Sequence, residues 1–160
     1  MNRKKFLLNL SAGSAGLLVL QQDAFGKLPS TEDPLPVDTV KEFVIAGHGK
    51  FERVKNMLAA QPTLLYATYD WGGGDFETAL EGAGHVGNKE IANYLIGLGA
   101  RTNIFVLTML GKTDLVKSFL KLYPDFINAR GPHGLTLLHH AQKGGDDAKE
   151  LLLFIESKGL

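Results

Sequence analysis

The chain has 160 residues, 44% of them hydrophobic and 21% charged, with seventeen basic and seventeen acidic side chains. This is the composition of one globular domain, and its balanced charge argues against a disordered chain and against a general binder of nucleic acid or anionic membrane. The sequence has no cysteine, which excludes disulfides, thiol nucleophiles, iron–sulfur clusters, thiolate zinc sites and a lipoprotein anchor.

The first 26 residues read as an export signal. Asn2-Arg3-Lys4-Lys5 is a basic start, Phe6 to Leu20 is a mostly apolar stretch of 15 residues, and Ala24-Phe25-Gly26 offers small residues to a signal peptidase. The stretch is shorter than the roughly 20 apolar residues of a membrane span, so no stable membrane insertion is expected once the signal is removed. Arg3-Lys4-Lys5-Phe6-Leu7 is similar to the twin-arginine export motif, with Lys4 standing for the second arginine. Both readings place the mature protein in the periplasm or otherwise outside the cytoplasm of a bacterium. Residues 27–38, with Pro29, Pro34 and Pro36, form a predicted linker, and Asp38 or Thr39 is placed to cap the first helix of a domain over 39–160.

That domain repeats itself. At an offset of 62, Gly49, Val54, Lys55, Leu58, Pro62 and Ala67 meet Gly111, Val116, Lys117, Leu120, Pro124 and Ala129 as identities. At an offset of 58, Thr78, Leu80 and Ala83 meet Thr136, Leu138 and Ala141. Each unit predicts a short helix ending at a glycine in a left-handed turn (Gly49, Gly87, Gly111, Gly145), then a second helix with adjacent apolar pairs such as Ile91-Ala92 and Leu95-Ile96. Self-similarity on this scale predicts a stack of helix-turn-helix modules.

The segment Thr78-Ala79-Leu80-Glu81-Gly82-Ala83-Gly84-His85-Val86-Gly87, continuing to Leu98-Gly99-Ala100, resembles an ankyrin repeat, and Thr136-Leu137-Leu138-His139-His140-Ala141 resembles the opening of another. Ala79 and Leu137 stand where the family has proline, and Glu81 stands where it has histidine. The four turn glycines lie 38, 24 and 34 residues apart, against the family's roughly 33. The long interval holds an extended Asp70–Glu77 loop, and the short one leaves the third unit without most of its hairpin finger. The resemblance implies an all-α fold, a short solenoid of about four degenerate ankyrin repeats whose fingers and first helices line a concave, protein-binding face. It also implies that His139 hydrogen-bonds loop backbone between units.

Three motifs invite chemistry and fail on context. Gly82-Ala83-Gly84-His85-Val86-Gly87 has the spacing of a dinucleotide-binding loop but falls within a predicted helix rather than after a strand. Gly111-Lys112-Thr113 lacks the upstream glycine of a phosphate loop, and none of the serines after the signal lies in a nucleophile elbow. The five histidines, His48, His85, His133, His139 and His140, read as structural rather than as metal ligands. Asp75 and Glu77 read as solvated charges on an exposed finger. The expectation is therefore a non-enzymatic module with no cofactor, no resident metal and no catalytic residue.

The predicted contact surface for a protein partner is Tyr69, Trp71, Asp75 and Phe76 on the enlarged finger, extended by Phe105 and His133. Trp71 and Phe76 have a second reading, in which they fold inward over the missing third finger. A different function would use Glu81, His85 and the segment Gly131–Gly134 in a metal- or small-ligand-binding enzyme. A third would pair two copies through the terminal helix, where Leu151-Leu152-Leu153-Phe154-Ile155 is apolar all round.

Overall fold

The computed structural model describes residues 33–159; the predicted export segment and the first half of the linker lie outside them. The chain divides after Pro34, and Leu35–Leu160 carries every element named below.

The chain runs α1 (Val37–Gly47), α2 (Phe51–Ala60), β1 (Thr68–Asp70), β2 (Phe76–Thr78), α3 (Ala79–Val86), α4 (Lys89–Gly97), α5 (Ile104–Met109), α6 (Thr113–Leu122), α7 (Leu137–Gly144) and α8 (Lys149–Glu156). Short 3-10 turns follow α2 and α6 at Pro62–Tyr66 and Pro124–Asn128. The fold is mostly helical, with one small antiparallel hairpin at its edge. No described helix is long and apolar enough to cross a membrane.

Side-chain caps fix several helix starts. Thr78 and Glu81 form a reciprocal capping box on α3, Asn88 accepts from the Ile91 amide on α4, Asn103 from the Val106 amide on α5, and Thr136 from the His139 amide on α7. Helix α1 starts earlier than the sequence suggested. The Pro36 carbonyl accepts from the Val40 amide, so Val37 is already helical, and Asp38 lies in the first turn, where its charge meets the helix dipole.

Helices α1, α3, α5 and α7 pack in succession, each also against the helix that follows it in sequence. The periodic apolar positions point inward: Val54, Ile91, Val116 and Leu151 are fully buried. They fall into two cores. One is centred on Phe43, Val44, Leu80, Ile91 and Leu95, the other on Ile104, Val116, Leu120, Leu137 and Ile155.

Two turn glycines behave differently. Gly111 has φ of 65°, and a Cβ there would fall 1.9 Å from the Asp147 carbonyl oxygen, so both conformation and space require glycine. Gly49 is not left-handed, and a Cβ on it would meet nothing within 4 Å. Here the expected left-handed turn is absent because His48 and Gly49 close the helix with ordinary turn bonds to Ile45 and Ala46.

Candidate functional site

The hairpin β1–β2 pairs Thr68 with Thr78, Tyr69 with Glu77 and Asp70 with Phe76. Successive strand residues face opposite sides. Phe76 therefore points outward and is 58% exposed, whereas Glu77 points inward and is completely buried. Between the strands, Gly72, Gly73 and Gly74 all take positive φ, which turns the chain tightly enough to bring Trp71 back over β2. The Trp71 indole N–H donates to Glu77 Oε2 at 2.8 Å, and its ring meets that of Tyr69 edge-on at 4.8 Å.

A second tip comes from the far end of the sequence. Arg130 and Thr136 form an isolated antiparallel bridge, and the turn between them holds His133 at φ of 58°, an uncommon conformation for a residue with a side chain. Asp75 holds it there. The His133 amide donates to Asp75 Oδ1 at 2.8 Å and its Nδ1–H to Oδ2 at 2.7 Å. These bonds, the backbone one foremost, keep the Asp75 carboxyl below its ordinary range. The two tips therefore meet directly.

Three imidazoles surround Glu77. His85 Nδ1 lies 3.0 Å from Oε1, His48 Nε2 lies 3.5 Å from Oε1, and His133 Nε2 lies 3.4 Å from Oε2. The rings touch one another, His48 to His85 at 4.7 Å and His85 to His133 at 5.2 Å between centroids. Burial pushes the Glu77 carboxyl up, but the His48 and His85 imidazoles and the Trp71 N–H outweigh it and hold the group at about 2. The same carboxylate raises His48 above its ordinary value, against the lowering effect of burial.

The looked-for dinucleotide spacing now has a packing explanation. A Cβ on Gly82 would come within 2.8 Å of the His48 ring, and one on Gly84 within 3.0 Å of Val106. Gly87 caps α3 at φ of 83°. Each glycine makes room or turns the chain, and the sequence lies in the helix rather than ahead of it.

The sequence-predicted residues separate into distinct roles. Tyr69, Trp71, Asp75 and His133 come together around Glu77. Phe76 stands outside. Phe105 does not reach the surface; it is 6% exposed, because it lies in the first turn of α5, which packs into the second core. Glu81 does not join His85: its carboxylate is occupied by the Thr78 amide and hydroxyl and by the Asn103 amide group at 2.6 Å. The segment Gly131–Gly134 does reach the cluster, through His133.

Glu77 departs most from expectation. Read as a solvated charge, it is the most deeply buried acid among the described residues. The signal was present in the repeat: at the offset of 58, Glu77 falls on Leu135 and Asp75 on His133. Leu135 is itself only half-buried, so the repeat marks the position as apolar without fixing its depth.

His139 and His140 lie apart. His139 Nε2–H donates to the His85 carbonyl at 2.8 Å. His140 is 1% exposed, donates from Nδ1 to the Thr136 carbonyl at 2.8 Å, and is pushed by burial to a pKa of about 4, so it stays neutral.

No family model, curated protein or solved structure matches the chain.

Proposed function

We propose that the chain is an exported, non-enzymatic ankyrin-type module that holds a protein partner in the periplasm through its finger side. Several features support the ankyrin reading. Each first helix packs on the next, Thr78 and Thr136 cap the corresponding helices α3 and α7, and the His139 side chain on α7 reaches the backbone of α3 at His85. The export reading rests on the sequence of residues 1–26 alone.

The observation that carries the recognition reading is Phe76. It presents a large ring to solvent from a hairpin fixed at its base by Trp71, Glu77 and His133, beside a cleft lined by Gly74, Arg130 and Pro132. An exposed aromatic on a rigid support loses little freedom on binding, which is the property of an interface anchor. Asp75 and Arg130 at the cleft supply charges of both signs, so the expected partner is a protein surface with mixed charge and an apolar pocket.

The test is capture from a periplasmic extract, followed by measurement of the captured protein's affinity for wild type and for Phe76→Ala. The expected loss is about 1–3 kcal/mol with unchanged melting temperature. Equal binding by the two proteins would remove Phe76 from the interface and the reading with it.

A second reading concerns α8, where Leu153 is 59% exposed on the last helix. End helices of a stack ordinarily present a polar outer face. A second copy covering Leu153 predicts a dimer by sedimentation at tens of micromolar that Leu153→Glu abolishes; a wild-type monomer at that concentration removes this reading.

A further inference from the structure

We propose that His48, Glu77, His85 and His133 form a closed binding site for one first-row divalent metal ion of the zinc class, which clamps the two tips together. The four residues come from four places in the fold: the end of α1, strand β2, helix α3 and the short tip. Each offers one ligand atom, and these atoms lie within 4.8 Å of one another. Zinc bound tetrahedrally at 2.0–2.1 Å needs ligand atoms roughly 3.4 Å apart. His85 and His48 nitrogens lie 3.0 and 3.5 Å from Glu77 Oε1, close to that spacing, and His133 Nε2 lies 3.4 Å from the other oxygen of the same carboxylate.

Two buried atoms carry the argument. Glu77 Oε1 and His85 Nδ1 are each without a hydrogen-bond partner, although they lie 3.0 Å apart. Proximity alone does not make a hydrogen bond, which also requires direction. Buried polar atoms are rarely left unpaired. Two such atoms side by side are both satisfied by a cation that each can ligate.

The outer contacts fix the remaining ligands in the required state. His48 uses its Nδ1–H on the Val44 carbonyl at 3.0 Å, which leaves the Nε2 lone pair directed at the site. His133 uses its Nδ1–H on Asp75 at 2.7 Å, with the same consequence, in the carboxylate–histidine arrangement that orients metal-bound imidazoles. Trp71 occupies Glu77 Oε2 and leaves Oε1 free. Three imidazoles and one carboxylate suit zinc and its first-row neighbours, whereas calcium and magnesium take mainly oxygen ligands. With all four positions supplied by the chain, the ion would hold structure rather than activate water.

The inference is independent of partner binding through Phe76. Its test uses the untagged full chain, freed of metal by dialysis against chelator and titrated with zinc chloride by calorimetry. Cobalt(II) serves as the spectroscopic probe. The expected result is one zinc per chain, a higher melting temperature, and the intense visible absorption of tetrahedral cobalt. His133→Asn keeps a residue that tolerates positive φ at an exposed position, so it should fold while weakening zinc at least tenfold; Glu77→Gln should weaken it further. Absence of zinc uptake at 100-fold excess over protein overturns the proposal, as does equal uptake by wild type and His133→Asn.

Discussion

The two tips, 68–78 and 130–136, occupy corresponding places in the internal repeat and differ by four residues. That difference is why the repeat aligns at an offset of 62 before the tips and 58 after them. The shorter tip is closed by a single bridge and a 3-10 turn, with Leu135 where the longer one has Glu77. The longer tip uses its added length, Trp71 and three left-handed glycines among it, to fold an indole over a buried acid. At positions that align in the sequence, Leu135 is only half-buried, whereas Glu77 is fully buried in a charged, histidine-lined centre. The longer loop on one side carries Asp75 out to grip His133 on the other directly.

The largest expected effect comes from giving the long tip the residue of the short one. Glu77→Leu keeps an apolar body of similar volume but leaves the Trp71 N–H without an acceptor and the surrounding histidines without their acid. Breaking one side of such a buried set costs about 3 kcal/mol, measurable as a lowered urea midpoint. A neutral or stabilising outcome would show that the two tips are interchangeable and that the charge is incidental.

The short tip has its own buried polar anchor, since the Thr136 carbonyl that ends it accepts from His140. His140 titrates near 6.5 when unfolded and at about 4 when folded, so the unfolded chain binds more protons between those values. The stability contributed by neutral His140 is present above pH 6.5 and declines as the pH falls toward 4. Between pH 6.5 and 5 the loss is about 2 kcal/mol. His48 works in the opposite direction, because its raised value gives stability that is present below 6.5 and lost as pH rises. The readout is therefore the difference between wild type and His140→Gln in denaturation at several pH values. Parallel profiles would separate His140 from acid sensitivity.

Within the long tip, Trp71 and Phe76 give a smaller contrast. Trp71→Ala removes a half-buried ring and a hydrogen bond to Glu77 and should cost about 1.5 kcal/mol. Phe76→Ala removes an exposed ring and should stay within about 0.5 kcal/mol. Equal losses in thermal denaturation would mean that the hairpin does not sort its aromatics by face.

The helical part of the fold was legible because burial imposes a period. Val54 and Val116, or Leu58 and Leu120, match across the repeat and are buried alike, since each second helix must hide one stripe. The centre around Glu77 was less legible. A three-residue strand is too short to display alternation, and the facing direction of Glu77 is settled by pairing with Tyr69. His48 and His133 are 85 residues apart in sequence, and the contact of Asp75 with the short tip brings them to one place. Phe105 misled for another reason: its place in the repeat suggested a finger, but α5 begins there instead.

The smallest expected effect lies on the second helices. At the offset of 62, Arg53 on α2 corresponds to Leu115 on α6. Arg53 pairs with Glu42 through its guanidinium, its Nε donating at 2.9 Å, whereas Leu115 is 59% exposed beside an apolar groove bounded by Leu107, Phe119 and Phe126. Leu115→Arg transfers the polar solution of one unit to the other. Because the leucine is mostly solvated and the new arginine has no matching acid, stability should change by less than about 0.5 kcal/mol. Solubility at high concentration should rise as the apolar edge shrinks. A loss above 1 kcal/mol in urea denaturation would instead mean that Leu115 holds the groove together, and that α6 depends on its outer face in a way α2 does not.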